Sequence, residues 1–249
     1  MKLSTLFSIL IVIICIIYVM YTYQSPNITV ITSRPDLELE KPIMLVVGGT
    51  HGNEPAGAEA AYQFIDNIKS IGIKKGTLIV IPNANKWGLK FNLRYLPAEL
   101  MSFSLLGKSD LNRSYSFDGE ESRTRISQKI QELVLISDWV VDLHEGYDFH
   151  QLNNNSMGSG IYPGNTAESH SIIPSLLDSV NEIIYNKDHK FISKEWPDEN
   201  GTLRMYCNNN NKNYILIETT GQNDIQPLNI RVNQHLKILY EMLYQLKFL

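Results

Sequence analysis

Four apolar runs, Ile43–Val47, Thr77–Ile81, Trp139–Leu143 and Tyr214–Ile217, lack polar alternation. Runs of that kind and length predict strands buried on both faces, as in a parallel sheet. Between them apolar residues recur at helical spacing. Ala61, Ile65 and Ile68 form one stripe, with Pro55 near the helix start; Ile126, Ile130, Leu133 and Val134 form a second. Leu177, Val180 and Ile184 form a third, and Leu236, Leu239, Leu243 and Leu246 run through a final helix. Strands alternating with helices predict an α/β fold, a mostly parallel central sheet flanked by helices. A shorter strand, Ile28–Thr32, is expected within a linker punctuated by Pro26, Pro35 and Pro42.

Polar residues fall at the ends of these runs. His51 and Glu54 follow the first, Asn83 and Asn85 the second, His144 and Glu145 the third, and Glu218 the fourth. Ligand sites of such folds lie at the carboxyl ends of the strands. A histidine and a glutamate three residues apart, on a tight turn after Gly48-Gly49, can aim at one point. With His144 they complete a two-histidine, one-carboxylate set, which matches a catalytic zinc site holding one position open for water. A lone His144 would more often be a core histidine; the nearby His-x-x-Glu reverses that reading.

Glu218 ends a buried run, where a carboxylate is costly unless paired, metal-linked or facing a wet pocket. A general base beside a metal-activated water accounts for it; a buried salt bridge is the alternative. Asn112 and Arg113, in Asp110-Leu-Asn-Arg, are candidates for holding a substrate carboxylate, since the guanidinium fork matches one. Arg94 is a candidate for stabilising an oxyanion. For Asp142, orienting a metal ligand and bonding nearby backbone weigh equally. Glu145, Tyr147 and His150 either line the pocket or are ordinary loop residues.

The chain of 249 residues carries a formal net charge of -4 with no basic patch, which argues against a nucleic-acid partner. Its division is expected to be a membrane anchor over 1–24, a linker over 25–42 and a catalytic domain over 43–249. Leu3 to Tyr23 contains no charged residue and has the length of an N-terminal transmembrane helix, with a cleaved signal peptide as the alternative. Lys2 before the span would place the catalytic domain outside the cytoplasm; cleavage would make the protein secreted. The two cysteines, Cys15 and Cys207, lie in different parts and build no disulfide framework. Asn27-Ile-Thr and Asn200-Gly-Thr fit the glycosylation pattern.

The series Gly-Gly-Thr-His51-Gly-Asn-Glu54, Asp-Leu-Asn112-Arg113, Asp-Leu-His144 and Ile-Glu218-Thr resembles the succinylglutamate desuccinylase/aspartoacylase family, related to the zinc carboxypeptidases. The resemblance runs in motif order through most of residues 43 to 245. It implies a zinc-carboxypeptidase-like fold, one zinc ion on His51, Glu54 and His144, a catalytic Glu218, and carboxylate binding by Asn112 and Arg113. Arg94 corresponds to the family's further arginine at a longer spacing. The segment after His144 differs from the named enzymes, and the chain ends before the β domain that narrows their channel. Both features predict a more open pocket. The expected reaction is hydrolysis of an amide bond near a carboxylate, on a small N-acyl amino acid. The rivals are a metallocarboxypeptidase acting on peptides and a non-catalytic, zinc-binding, membrane-anchored ectodomain.

Overall fold

The computed structural model describes residues 5–12, 14–15, 25–34, 39–96 and 110–249. Its centre is a six-stranded sheet in the order β1-β3-β2-β4-β6-β5. The strands are β1 Thr29–Thr32, β2 Ile43–Gly48, β3 Thr77–Ile81, β4 Trp139–Gly146, β5 Gly160–Pro163 and β6 Asn213–Thr220. β3, β2, β4 and β6 run parallel, while β1 and β5 close the edges antiparallel. The helices are α1 Pro55–Ile71, α2 Lys86–Phe91, α3 Arg125–Ile136, α4 Ala167–Ser171, α5 Ile173–Glu182, α6 Leu203–Asn209 and α7 Leu228–Gln245.

Side chains alternate across a strand with period two, so the apolar runs feed two cores. Met44, Val46, Val141, Leu143, Ile215 and Ile217 pack with α1, α5 and α7 on one face. Leu45, Val47, Val140, Tyr214 and Leu216 pack with α3 and α6 on the other. This double burial explains why the runs carry no polar alternation. Leu236, Leu239 and Leu243 of α7 are buried as their spacing predicts, with Leu246 packed at the margin.

Strand order reverses at β2. The chain leaves it through α1 to β3 on one side, then returns through α3 to β4 on the other. Because α1 and α3 cover opposite faces, a crevice opens between the carboxyl ends of β2 and β4.

The sequence expectation and the structure part company in two places. β5 is a short edge strand ending in Pro163, and four residues give no usable periodicity; proline suits an edge because it donates no ladder hydrogen bond. The expected transmembrane helix over residues 1–24 is overturned. Among the described residues no helix is long and apolar enough to cross a membrane. The described part of that segment is helical over 5–12 and 14–15. Residues 1–4, 13 and 16–24 lie outside the described residues.

Candidate metal centre

β2 leaves the sheet through Gly49, whose φ of 67° is a left-handed conformation that suits glycine. The exits of β2 and β3 are stitched together: Ala84 N–H donates to the Gly48 carbonyl (3.0 Å) and Asn85 N–H to that of Gly49 (2.8 Å). Glu54 N–H closes the turn onto the His51 carbonyl at 3.2 Å, and α1 begins at Pro55, a residue suited to a first helical position. His51 and Glu54 are thereby held over the crevice. Parallel register does the rest, since His144 of β4 stands directly opposite Glu218 of β6.

The three expected ligands converge. His51 Nδ1 lies 2.8 Å from Glu54 Oε1, His144 Nδ1 lies 2.9 Å from Glu54 Oε2, and the two Nδ1 atoms are 3.1 Å apart. One donor atom from each residue falls within 4.8 Å of the others, a set that could hold a metal ion. All three residues are buried. Each imidazole turns its other nitrogen to a carboxylate: His51 Nε2 is 2.9 Å from Asp110 Oδ1, and His144 Nε2 is 3.2 Å from Asp142 Oδ1. Tyr214 O–H donates in turn to Asp142 Oδ2 at 3.0 Å. A carboxylate thus stands behind each ring, as is usual for metal-binding histidines; the Asp110 one is hydrogen-bonded to His51, and the Asp142 one makes an ion-pair contact with His144. Two inward nitrogens at 3.1 Å repel unless a proton or cation lies between them, so the donor set fits a resident metal.

Charge follows from this packing. Burial opposes ionisation of Glu54, but His51 and His144 outweigh it and hold the carboxyl well below its usual range. Burial likewise opposes charge on His144, yet Asp142 and Glu54 keep its imidazole well above the usual value. Burial also opposes the charge of Asp110, which His51 and Arg94 hold low. Glu218 goes the other way. Burial, aided by the Glu54 and Asp142 charges, pushes its carboxyl up to about 8 against the pull of His144 and Arg94.

A cavity of about 260 Å³ opens over the cluster, with Arg94, Asn112, Arg113, Tyr147, Trp196 and Glu218 in its lining. Arg94 reaches the centre despite its long spacing from Asp110: Nε donates to Asp110 Oδ2 (3.1 Å) and Nη1 to Glu54 Oε1 (3.2 Å). Arg113 donates through Nη1 to the Asn112 carbonyl at 2.8 Å and pairs through Nη2 with Glu199. The Asn112 side-chain carbonyl accepts the N–H of Leu203 at 2.9 Å, fixing the start of α6.

Other polar residues take less direct places. Asn83 donates to the Tyr62 hydroxyl at 2.6 Å, and Asn85 caps α2 by accepting from Gly88 N–H at 2.8 Å. Neither lines the cavity. His150 sits 2.7 Å from the Ser156 carbonyl, as a loop residue. Glu145 touches the cavity edge, but its carboxylate accepts Ala56 N–H at 2.7 Å and pairs with Arg231.

Among the lining residues that escaped sequence reading are Arg204 and Gln222. Arg204 of α6 is buried, 3.3 Å through Nε from Asp198, with Nη1 lacking any hydrogen-bond partner. Gln222 donates to Glu54 Oε1 at 3.1 Å. Neither lies in a chemical motif; a glutamine four residues past Glu218 was the only available cue for the latter.

The architecture is shared with solved structures. Tripeptide-bound cell shape determinant Csd4 from Helicobacter pylori superposes with a TM-score of 0.71 at 22% identity, over 90% of this chain and 56% of that one. Product-bound ectoine utilization protein EutE (DoeB) from Ruegeria pomeroyi gives 0.63 at 18%, over 89% and 61%. A succinylglutamate desuccinylase from Silicibacter sp. TM1040 gives 0.61 at 19%, over 90% and 61%. The chain therefore spans just over half the length of these proteins, and at such identities the likeness is one of fold. No curated protein matches it in sequence. The profile of the succinylglutamate desuccinylase/aspartoacylase catalytic domain matches residues 40–237, most of the length and the whole of the His51, Glu54, His144 and Glu218 set, and the chain belongs to that family.

Proposed function

We propose that this protein is a zinc-dependent hydrolase that cleaves an amide bond close to a substrate carboxylate, as in deacylation of an N-acyl amino acid. The observation that carries the reading is the convergence of His51, Glu54 and His144 with Glu218 in register beside them. When bound, zinc lowers the pKa of water to about 7 and polarises a carbonyl. Glu218 takes a proton from the attacking water and passes it to the leaving nitrogen, so that OH ends on the acyl carbon and H on the amine. A dication nearby favours the ionised carboxylate, bringing Glu218 down from its metal-free value towards one suited to a base at neutral pH. Arg94 turns from Glu54 and Asp110 to the oxyanion that develops on the carbonyl.

Three arginines in one small cavity support an anionic substrate. Arg113 and Arg204 each face a carboxylate of the same loop, Glu199 and Asp198, which marks both as places a substrate carboxylate fits. A peptide reading is favoured by one feature: the exposed Tyr147 and the half-buried Trp196 both line the cavity, where residues beyond a scissile bond could lie. A panel of N-acetyl and N-succinyl amino acids against short peptides, assayed with and without zinc, separates the two. Zinc-dependent release of a free amino acid from the acyl compounds supports deacylation; turnover of peptides alone replaces it with carboxypeptidase action. No zinc-dependent turnover of either class contradicts the proposal.

A further inference from the structure

The Glu54 carboxylate is surrounded. Its Oε1 is approached by His51 Nδ1 (2.8 Å), Arg94 Nη1 (3.2 Å) and Gln222 Nε2 (3.1 Å). Its Oε2 is approached by His144 Nδ1 (2.9 Å) and the Glu145 N–H (3.1 Å). Three of these contacts belong to groups with other work in a hydrolase. Nδ1 of a metal-ligating histidine gives its lone pair to the metal, and Arg94 is the group that would turn to substrate. Gln222 and one backbone N–H are then left to aim the carboxylate. We infer that Gln222 is a positioning residue, one that holds Glu54 in its ligating orientation and so sets the metal affinity of the site. The inference rests on the metal-centre reading given above.

The surroundings of Gln222 are built for this. Its amide nitrogen also donates to the Glu145 carbonyl at 2.5 Å, and two acceptors together fix which way the amide faces. Its backbone comes this close because residue 221 is glycine. A Cβ there would meet Glu145 Oε2 at 1.6 Å and Arg231 Nη1 at 2.3 Å. The loop is therefore laid directly on the Glu145–Arg231 ion pair, whose members are 1% and 3% exposed. The same Glu145 carboxylate holds Ala56 N–H, in the first turn of the helix that follows Glu54. One ion pair thus joins the start of α1, the first turn of α7 and the loop after β6, and seats Gln222 between them. Arg231 touches no ligand itself; it acts through Glu145, which meets both Gln222 and the start of α1.

An ion pair so buried could serve the fold alone, and affinity separates the roles. Groups behind a metal's own ligands typically change affinity 10- to 100-fold when removed. The test is zinc affinity of the full chain by competition with a chromophoric chelator, for wild type, Gln222→Met, Arg231→Met and the double variant, beside thermal melts of the metal-free proteins. Gln222→Met keeps the side-chain length and drops the donor. It is expected to weaken zinc binding about tenfold or more while the metal-free melting temperature stays put. Arg231→Met is expected to weaken it in the same direction, and the double variant to lose no less than Gln222→Met alone. If Arg231→Met does not fold, Gln222→Met decides alone. Wild-type zinc binding with Gln222→Met within twofold of it overturns the inference. A wild type that binds no zinc fells the metal-centre reading itself and this inference with it.

Discussion

The ends of β2 and β3 look alike in sequence: each apolar run gives way to two polar residues spaced across a turn. They do different things. His51 and Glu54 after β2 meet His144 over the crevice, whereas Asn83 and Asn85 after β3 bond Tyr62 and cap α2. β3 lies on the far side of β2 from β4, and neither asparagine lines the cavity over the crevice. Polar residues after a buried strand thus mark an edge of the sheet. Topology decides which stretch of that edge has room for chemistry, and residue type decides what chemistry it holds.

Substitutions along this edge sharpen the contrast. The largest effect is expected at Glu218→Gln, which should keep metal binding and lower turnover by about 10²- to 10⁴-fold, the usual contribution of a positioned base. Rates with the preferred substrate of the panel check it; unchanged turnover would move the base elsewhere. Next come Arg113→Met and Arg204→Met. A hydrogen bond to a charged group is worth about 1.5–3 kcal/mol, so each should raise KM about 10- to 100-fold for a carboxylate-bearing substrate. Kinetics with an uncharged analogue should show a smaller change. On the β3 side, Asn83→Ala should cost about 1–2 kcal/mol of stability through its buried hydrogen bonds and leave zinc affinity unaltered. A change in affinity there would erase the distinction between the two strand ends.

Titration supplies a smaller and more diagnostic effect. Glu218 has an ordinary value of 4.5 and a folded value of about 8 without metal. Between these the folded chain keeps a proton that the unfolded chain has lost. Stability of the metal-free protein therefore falls as pH rises through that interval. Glu54 and Asp110, held low, contribute the opposite sign, lost as pH falls into the acid range. Melts of metal-free wild type from pH 5 to 8 should slope downward, with His144, also held high, adding to the fall in the upper part, and Glu218→Gln should make the slope shallower. Identical slopes would mean that Glu218 is not held protonated by its burial.

The sheet and the metal cluster were legible in sequence for a common reason. β2, β3, β4 and β6 are buried on both faces, so their apolar runs are unbroken, and the ligands sit within a few residues of their ends. Glu218 was legible because a carboxylate closing such a run demands a partner or a wet pocket, and it lines the cavity. The rest depends on contacts between distant segments. Asp110 stood in a recognised string, but its place behind His51 needs a loop 59 residues further along the chain. Arg204 sits on a short helix without any chemical signature, and Gln222 reaches Glu54 only because Gly221 lies against Glu145 and Arg231. The N-terminal segment warns in the other direction: an uncharged apolar stretch of suitable length did not become a spanning helix among the described residues.

Everything chemical in this account passes through one cation held by His51, Glu54 and His144. Its most direct test is zinc titration of the metal-stripped protein, followed by elemental analysis, for wild type and His144→Ala. The account predicts one tightly held zinc per wild-type chain and a loss of affinity of at least 100-fold in the variant, comparable with the larger effects seen even behind a metal's own ligands. Wild-type protein that takes up no zinc, or a variant that binds it as tightly as wild type, would contradict it.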